Sequence, residues 1–118
     1  MEDFSWGRAE GQLAVDIIET PSELIIRSIL AGVLEKDLEI HATHDTVTIK
    51  GVRTEPFIPA HSVTHYAECF WGAFSRTIIL PCSIQTNSPQ AELNNGILTL
   101  VVKKAPPGGA VKITPTVV

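Results

Sequence analysis

A chain of 118 residues holds one domain of ordinary size and leaves no room for a second. With 44% apolar and 19% charged residues, it carries too much apolar material for a disordered chain. A formal charge of −4 argues against a nucleic-acid-binding domain, which would normally show a basic face. The apolar share is largely β-branched: 13 Ile, 10 Val and 11 Thr stand against 9 Leu, and 6% of the chain is aromatic. Such side chains are stiff at χ1 and fit a pleated strand better than a helix. The composition points to an all-β domain.

Residues 1–12 are polar, contain Gly7 and Gly11, and hold Phe4 and Trp6 as their large apolar groups after Met1. They read as a short arm. The start Met1-Glu2-Asp3 is acidic and lacks the apolar stretch of a secretory leader. No run approaches the roughly 18 apolar residues of a membrane-spanning helix. Cys69 and Cys82 are too few for a disulfide framework and read as reduced thiols. The expectation is a cytoplasmic protein with no membrane partner.

From Leu13 a period of two begins. Leu13, Val15 and Ile17 share one face, and Thr20-Pro21-Ser22 turns the chain. In Glu23–Leu30 the inward face is Leu24, Ile26, Ser28 and Leu30. Gly32 and Glu35-Lys36-Asp37 interrupt. Leu38, Ile40 and Ala42 then alternate with Glu39, His41 and Thr43, the pattern of a half-buried strand. His44-Asp45 makes a hairpin, and Val47, Ile49 and Gly51 point inward on the next strand.

Thr54–Tyr66 has no sustained alternation, contains Pro56 and Pro59, and yet holds Phe57, Ile58 and Val63. Loops of this length are uncommon unless functional or disordered. In Gly72–Leu80, Phe74, Ile78 and Leu80 share a face with Arg76, and Pro81 ends the strand. A cation on an apolar face must be paired or sit at an interface. Ala91 and Leu93 open a short strand, Asn94-Asn95-Gly96 is a hairpin signal, and Leu98, Leu100 and Val102 point inward on the last strand. Ala105-Pro106-Pro107-Gly108-Gly109 is a linker, followed by Val111-Lys112-Ile113. About seven short strands with regular turn signals predict an immunoglobulin-like antiparallel β-sandwich.

No catalytic constellation is legible. GxGxxG, P-loop, HExxH and GxSxG patterns are absent, so neither an enzyme nor a nucleotide or other cofactor is expected. His41 with His44, and His61 with His65, lack a Cys or carboxylate at ligand spacing, and no metal site is expected.

Three stretches carry a family resemblance. Ile26-Arg27-Ser28-Ile29-Leu30-Ala31-Gly32-Val33, Phe74-Ser75-Arg76 through Leu80-Pro81, and Ala91-Glu92-Leu93-Asn94-Asn95-Gly96-Ile97-Leu98 come in the order and spacing of the α-crystallin domain. The chain resembles the small heat-shock proteins of the bacterial and plant type, with a short N-terminal arm. Ala31 stands where that family usually has Pro, and Lys103 where Pro often closes the last strand. The resemblance implies an arm over 1–12, an α-crystallin domain over 13–104 and a C-terminal extension over 105–118. It implies an ATP-independent holdase that assembles from dimers and keeps unfolding proteins from aggregating. The alternative is a co-chaperone-like β-sandwich module that docks one folded partner.

Three surfaces would serve the first reading. Val111 and Ile113 point the same way in an extended segment and can fill adjacent pockets beside a strand edge; the alternative is a frayed tail. The resemblance places their groove between the strand of Leu38, Ile40 and Ala42 and that of Ala91 and Leu93. The long loop is either a mobile surface segment or a strand exchanged with a second subunit, covering Phe57, Ile58 and Val63 with Tyr66 and Trp71 flanking. Arg76 is paired within its own subunit or, as the resemblance implies, near the dimer interface. Phe4 and Trp6 would touch clients or neighbouring subunits.

Overall fold

The computed structural model describes residues 13–87, 89–106 and 114–117. Seven strands follow one another: β1 (Val15–Glu19), β2 (Glu23–Ile29), β3 (Leu38–Ala42), β4 (Thr46–Arg53), β5 (Gly72–Ile79), β6 (Gln90–Asn94) and β7 (Ile97–Lys103). One four-stranded sheet has the order β1-β2-β7-β6, and one three-stranded sheet the order β3-β4-β5. All pairings are antiparallel. The expected sandwich of about seven strands is what forms.

The core follows strand parity. Leu24, Ile26 and Ser28 of β2 are buried against Val47 and Ile49 of β4, Phe74 and Ile78 of β5, and Leu98, Leu100 and Val102 of β7. Each set sits at alternate positions, so one face of each sheet is apolar. Ser28 is the one buried polar side chain among the described residues, and its hydroxyl donates to the Ala14 carbonyl at 2.8 Å. That bond removes the penalty of an orphaned hydroxyl in the core.

One turn depends on a backbone conformation that ordinary residues resist, and one strand position depends on the absence of a side chain. Asn95 and Gly96 both have positive φ, as the two-residue β6–β7 hairpin requires, and Leu30 N–H donates to the Gly96 carbonyl at 2.6 Å. Gly51 is needed for space instead. A Cβ there would lie 2.5 Å from Phe74 Cζ and 3.0 Å from the Asp37 carbonyl.

The structure departs from the sequence reading in four places. Ile17 does not share the buried face with Leu13; it is exposed, and only Leu13 and half-buried Val15 face the core. β1 is an edge strand with a neighbour on one side only, and beyond Val15 its residues are exposed. The irregular segment after β4 runs on to Trp71 rather than ending at Tyr66, because strand pairing resumes only at Gly72. Glu35–Asp37 forms one 3-10 turn. Ile84 and Val33 are buried core residues that lie outside any alternating run, and Ile84 is seated by a lone bridge to Lys104.

Candidate interaction surfaces

The segment between β4 and β5 is the largest surface feature. Thr54–Cys69 is exposed at every position, with Phe57 at 86%, Val63 at 76%, Tyr66 at 85% and Ile58 at 51%. None of it pairs with either sheet. A turn at Ala60-His61 reverses it, closed by Ser62 Oγ donating to the Pro59 carbonyl at 2.6 Å and by a left-handed His61. Aromatic side chains of this size are rarely left in water unless something covers them. Trp71 is 37% exposed at the segment's end, and Phe70 beside it packs on the core and returns the chain to β5.

The root of this segment is held by a residue that sequence reading passed over. Arg53, the last residue of β4, donates from Nε to the Ala31 carbonyl at 2.8 Å. Its guanidinium lies 5.8 Å from the centroid of the Phe74 ring. Only its position as the final strand residue before the long loop hinted at such a role.

Arg76 is a second clamp. It keeps the inward parity of β5, opposite Ile49, and reaches past the core edge. There its Nη1 donates to the Leu13 carbonyl at 2.5 Å, and it has no acidic partner among the described residues. The bond ties β5, an edge of the smaller sheet, to the chain entering β1, an edge of the larger one. Within one chain Arg76 is therefore partnered by a backbone carbonyl. A charge-assisted hydrogen bond of this kind is worth about 1.5–3 kcal/mol. Arg76→Ala is expected to lower unfolding free energy by about that amount in a urea titration.

With β1 and β5 on one flank, β3 and β6 border the opposite flank. Each is an outer strand, bonded only to β4 and β7 respectively, so each has a free backbone edge. Leu38, Ile40 and Ala42 are half-buried and pack against the core, as does Leu93; Ala91 is exposed. The five residues assigned to a groove thus stand on two edge strands of one flank. The tail residues Val111 and Ile113, and Phe4 and Trp6 of the arm, lie outside the described residues.

Other chemistry is sparse. Both cysteines are free, Cys69 exposed on the long loop and Cys82 half-buried. No group of three or more His, Cys, Asp or Glu residues that could hold a metal ion occurs among the described residues. His41 approaches Glu39 at 3.2 Å and His44 approaches Asp45 at 3.6 Å, each an exposed pair. No described helix is long and apolar enough to cross a membrane.

Comparison with known proteins places this arrangement. The family model described as Hsp20/alpha crystallin family matches residues 16–114. Small heat shock protein C2 of Rickettsia felis is 34% identical over 98 residues, which cover 83% of this chain and 64% of that protein. Spore protein SP21 of Stigmatella aurantiaca is 34% identical over 93 residues, covering 79% of this chain and 55% of that one. The chain therefore spans less than two thirds of the length of these relatives. In fold it is similar to heat shock protein 16.0 from Schizosaccharomyces pombe, with a TM-score of 0.74 at 23% identity over 92% of this chain and 99% of that one.

Proposed function

The chain belongs to the Hsp20/alpha crystallin family, and on that premise we propose that it is an ATP-independent holdase, a chaperone that binds unfolding proteins and keeps them from aggregating. The observation that carries this reading is the exposed run of residues 54–69, which bears Phe57, Ile58, Val63 and Tyr66 outside the sandwich core. A chaperone of this kind needs apolar surface it can cover at rest and expose on demand. No nucleotide motif or catalytic constellation competes with that role.

The assembly unit is a dimer in which each copy lays its long loop along a strand edge of the other. Strand addition would give the loop's unpaired backbone partners, and it would remove Phe57, Ile58 and Val63 from water. Tyr66 and Trp71 flank the exchange, and Arg76 stands by the β1–β5 flank. Higher assembly uses the tail. Val111 and Ile113 dock in the groove of Leu38, Ile40, Ala42, Ala91 and Leu93, with the linker at 105–109 supplying reach. Each buried side chain contributes about 1.5–3 kcal/mol before the ordering of the tail is subtracted. A single dock is therefore weak, and many together hold an oligomer by avidity. Ile113→Asp is expected to convert the assembly to dimers in native mass measurements. The two free cysteines fit a reducing cytoplasm.

The division into an arm (1–12), a sandwich (13–104) and an extension (105–118) follows from the same reading. Phe4 and Trp6 would supply further apolar contacts to clients. A module docking one folded partner would have no use for so long an apolar loop. The test is light scattering of a heat-stressed enzyme without ATP. The full chain should suppress aggregation at near-stoichiometric ratio. A folded sample giving no suppression at several-fold excess would remove the holdase reading.

A further inference from the structure

Two arginines of the smaller sheet carry inward parity and bond across to the larger one. Arg76 reaches the chain just before β1, and Arg53 reaches the chain just past β2. Arg53 continues the parity of Val47, Ile49 and Gly51 and pairs with Gly72, so it stands at the neck where residues 54–71 leave and rejoin the sandwich. Its stem passes over Gly32, where an added Cβ would lie 3.7 Å from Arg53 Cγ and Nε. Nε donates to the Ala31 carbonyl at 2.8 Å, and the guanidinium faces the Phe74 ring, 5.8 Å from its centroid. The acceptor is itself held in place. Leu30 N–H donates to the Gly96 carbonyl, and a Cβ at Gly96 would lie 3.1 Å from Ala31 Cα.

The two legs of the long loop are anchored differently. On the return leg, Phe70 packs on the core and Gly72 takes a φ of +121°. The outgoing leg has no such anchor: among the described residues, no backbone hydrogen bond joins residues 54–69 to either sheet. Its direction is set where it leaves, at Arg53. The leg is also stiff. Pro56 fixes its own φ, and Glu55 and Ile58, each before a proline, are biased toward extended backbone. Ile58 lies five residues beyond Arg53, at most about 18 Å away. A swing of about 20° at the root would move it by up to about 6 Å, more than the roughly 4.8 Å between paired strands. A loop misaimed by that much loses its place on a partner's edge.

We propose that Arg53 is the positioning residue of the loop exchange. Its clamp on Ala31 and Phe74 aims the stiff outgoing leg so that Phe57 and Ile58 arrive on the partner's strand edge. This role rests on the exchange proposed above. It adds that dimer affinity depends on a residue acting through the loop's direction rather than at the contact.

The test sets dimer dissociation constants from sedimentation velocity beside thermal midpoints, both on the full chain. Arg53→Met keeps the stem over Gly32 and removes the donor and the charge. Its dissociation constant should rise about tenfold or more, because both loops of a reciprocal dimer lose their aim. Ile49→Val, a core truncation outside the loop, should lower the midpoint and leave dissociation as in the parent. Pro56→Gly, at an exposed position, keeps the clamp but softens the leg, and should weaken the dimer without moving the midpoint. A dimeric parent whose Arg53→Met form dissociates like Ile49→Val, or whose Pro56→Gly form dissociates like the parent, would overturn the proposal. A monomeric parent would remove the exchange itself, and this role with it.

Discussion

Replacing Phe57 and Ile58 together by aspartate is expected to give a folded monomer that no longer suppresses aggregation. Both side chains are exposed in the single chain, so the sandwich does not depend on them. Surface changes of this kind usually alter stability by no more than about 0.5 kcal/mol. Their burial in the proposed exchange is another matter. Covering the two contributes roughly 3–6 kcal/mol per exchanged loop at about 1.5–3 kcal/mol each, and a reciprocal dimer has two such loops. Losing even about 4 kcal/mol raises a dimer dissociation constant roughly a thousandfold. Two carboxylates introduced at a closing strand pair add a desolvation cost in the same direction. Sedimentation velocity should show the shift to monomer, while the thermal midpoint of the sandwich stays within a few degrees of the parent's. A variant that unfolds would mean the loop packs on its own sandwich. A variant that dimerises as before would remove the exchange.

The second large effect is internal. Ile49→Ala is expected to cost about 2–5 kcal/mol, whereas Ile79→Ala should change stability by about 0.5 kcal/mol or less. The two isoleucines differ in parity and in place within the sheet. Ile49 lies in the central strand of the smaller sheet, flanked by Ile40 and Arg76, and is 0% exposed; Ile79 ends β5 on the outer face and is 80% exposed. Truncating Ile49 leaves a cavity that two facing sheets can only partly close. Thermal unfolding should place its midpoint about 10–20 °C lower. Equal losses for the two variants would mean that a partner covers the outer face at Ile79.

Much of this architecture is legible in the sequence because alternation is a local signal. Leu24, Ile26 and Ser28, or Leu98, Leu100 and Val102, announce their buried face without any knowledge of neighbours. The β6–β7 hairpin is equally local, since Asn95 and Gly96 supply the positive φ it requires. What stayed hidden depends on contacts between distant parts. Ile17 follows the buried parity of its strand, yet it is exposed on an edge strand, and edge position is not written in the spacing. Ile84 is buried from within a loop because it is pinned by Lys104. The Arg53 clamp on Ala31 spans a turn and a strand that no periodicity connects. Parity and family resemblance both single out Arg76, but neither says that its partner within the chain is the carbonyl of Leu13.

The surfaces divide in the same way. The apolar content of the long loop is legible, and so is its failure to alternate; its full exposure needed the structure. The groove residues could be chosen only through family resemblance. Their place on two edge strands of one flank comes from sheet order, which residue spacing does not encode.

At the centre of this account is a domain that finishes burying its apolar surface with copies of itself. Native mass spectrometry of the full chain tests that most directly. The expected spectrum contains dimers of the 12.8 kDa chain and even-numbered assemblies of them. A single monomeric species across the accessible concentration range would contradict it.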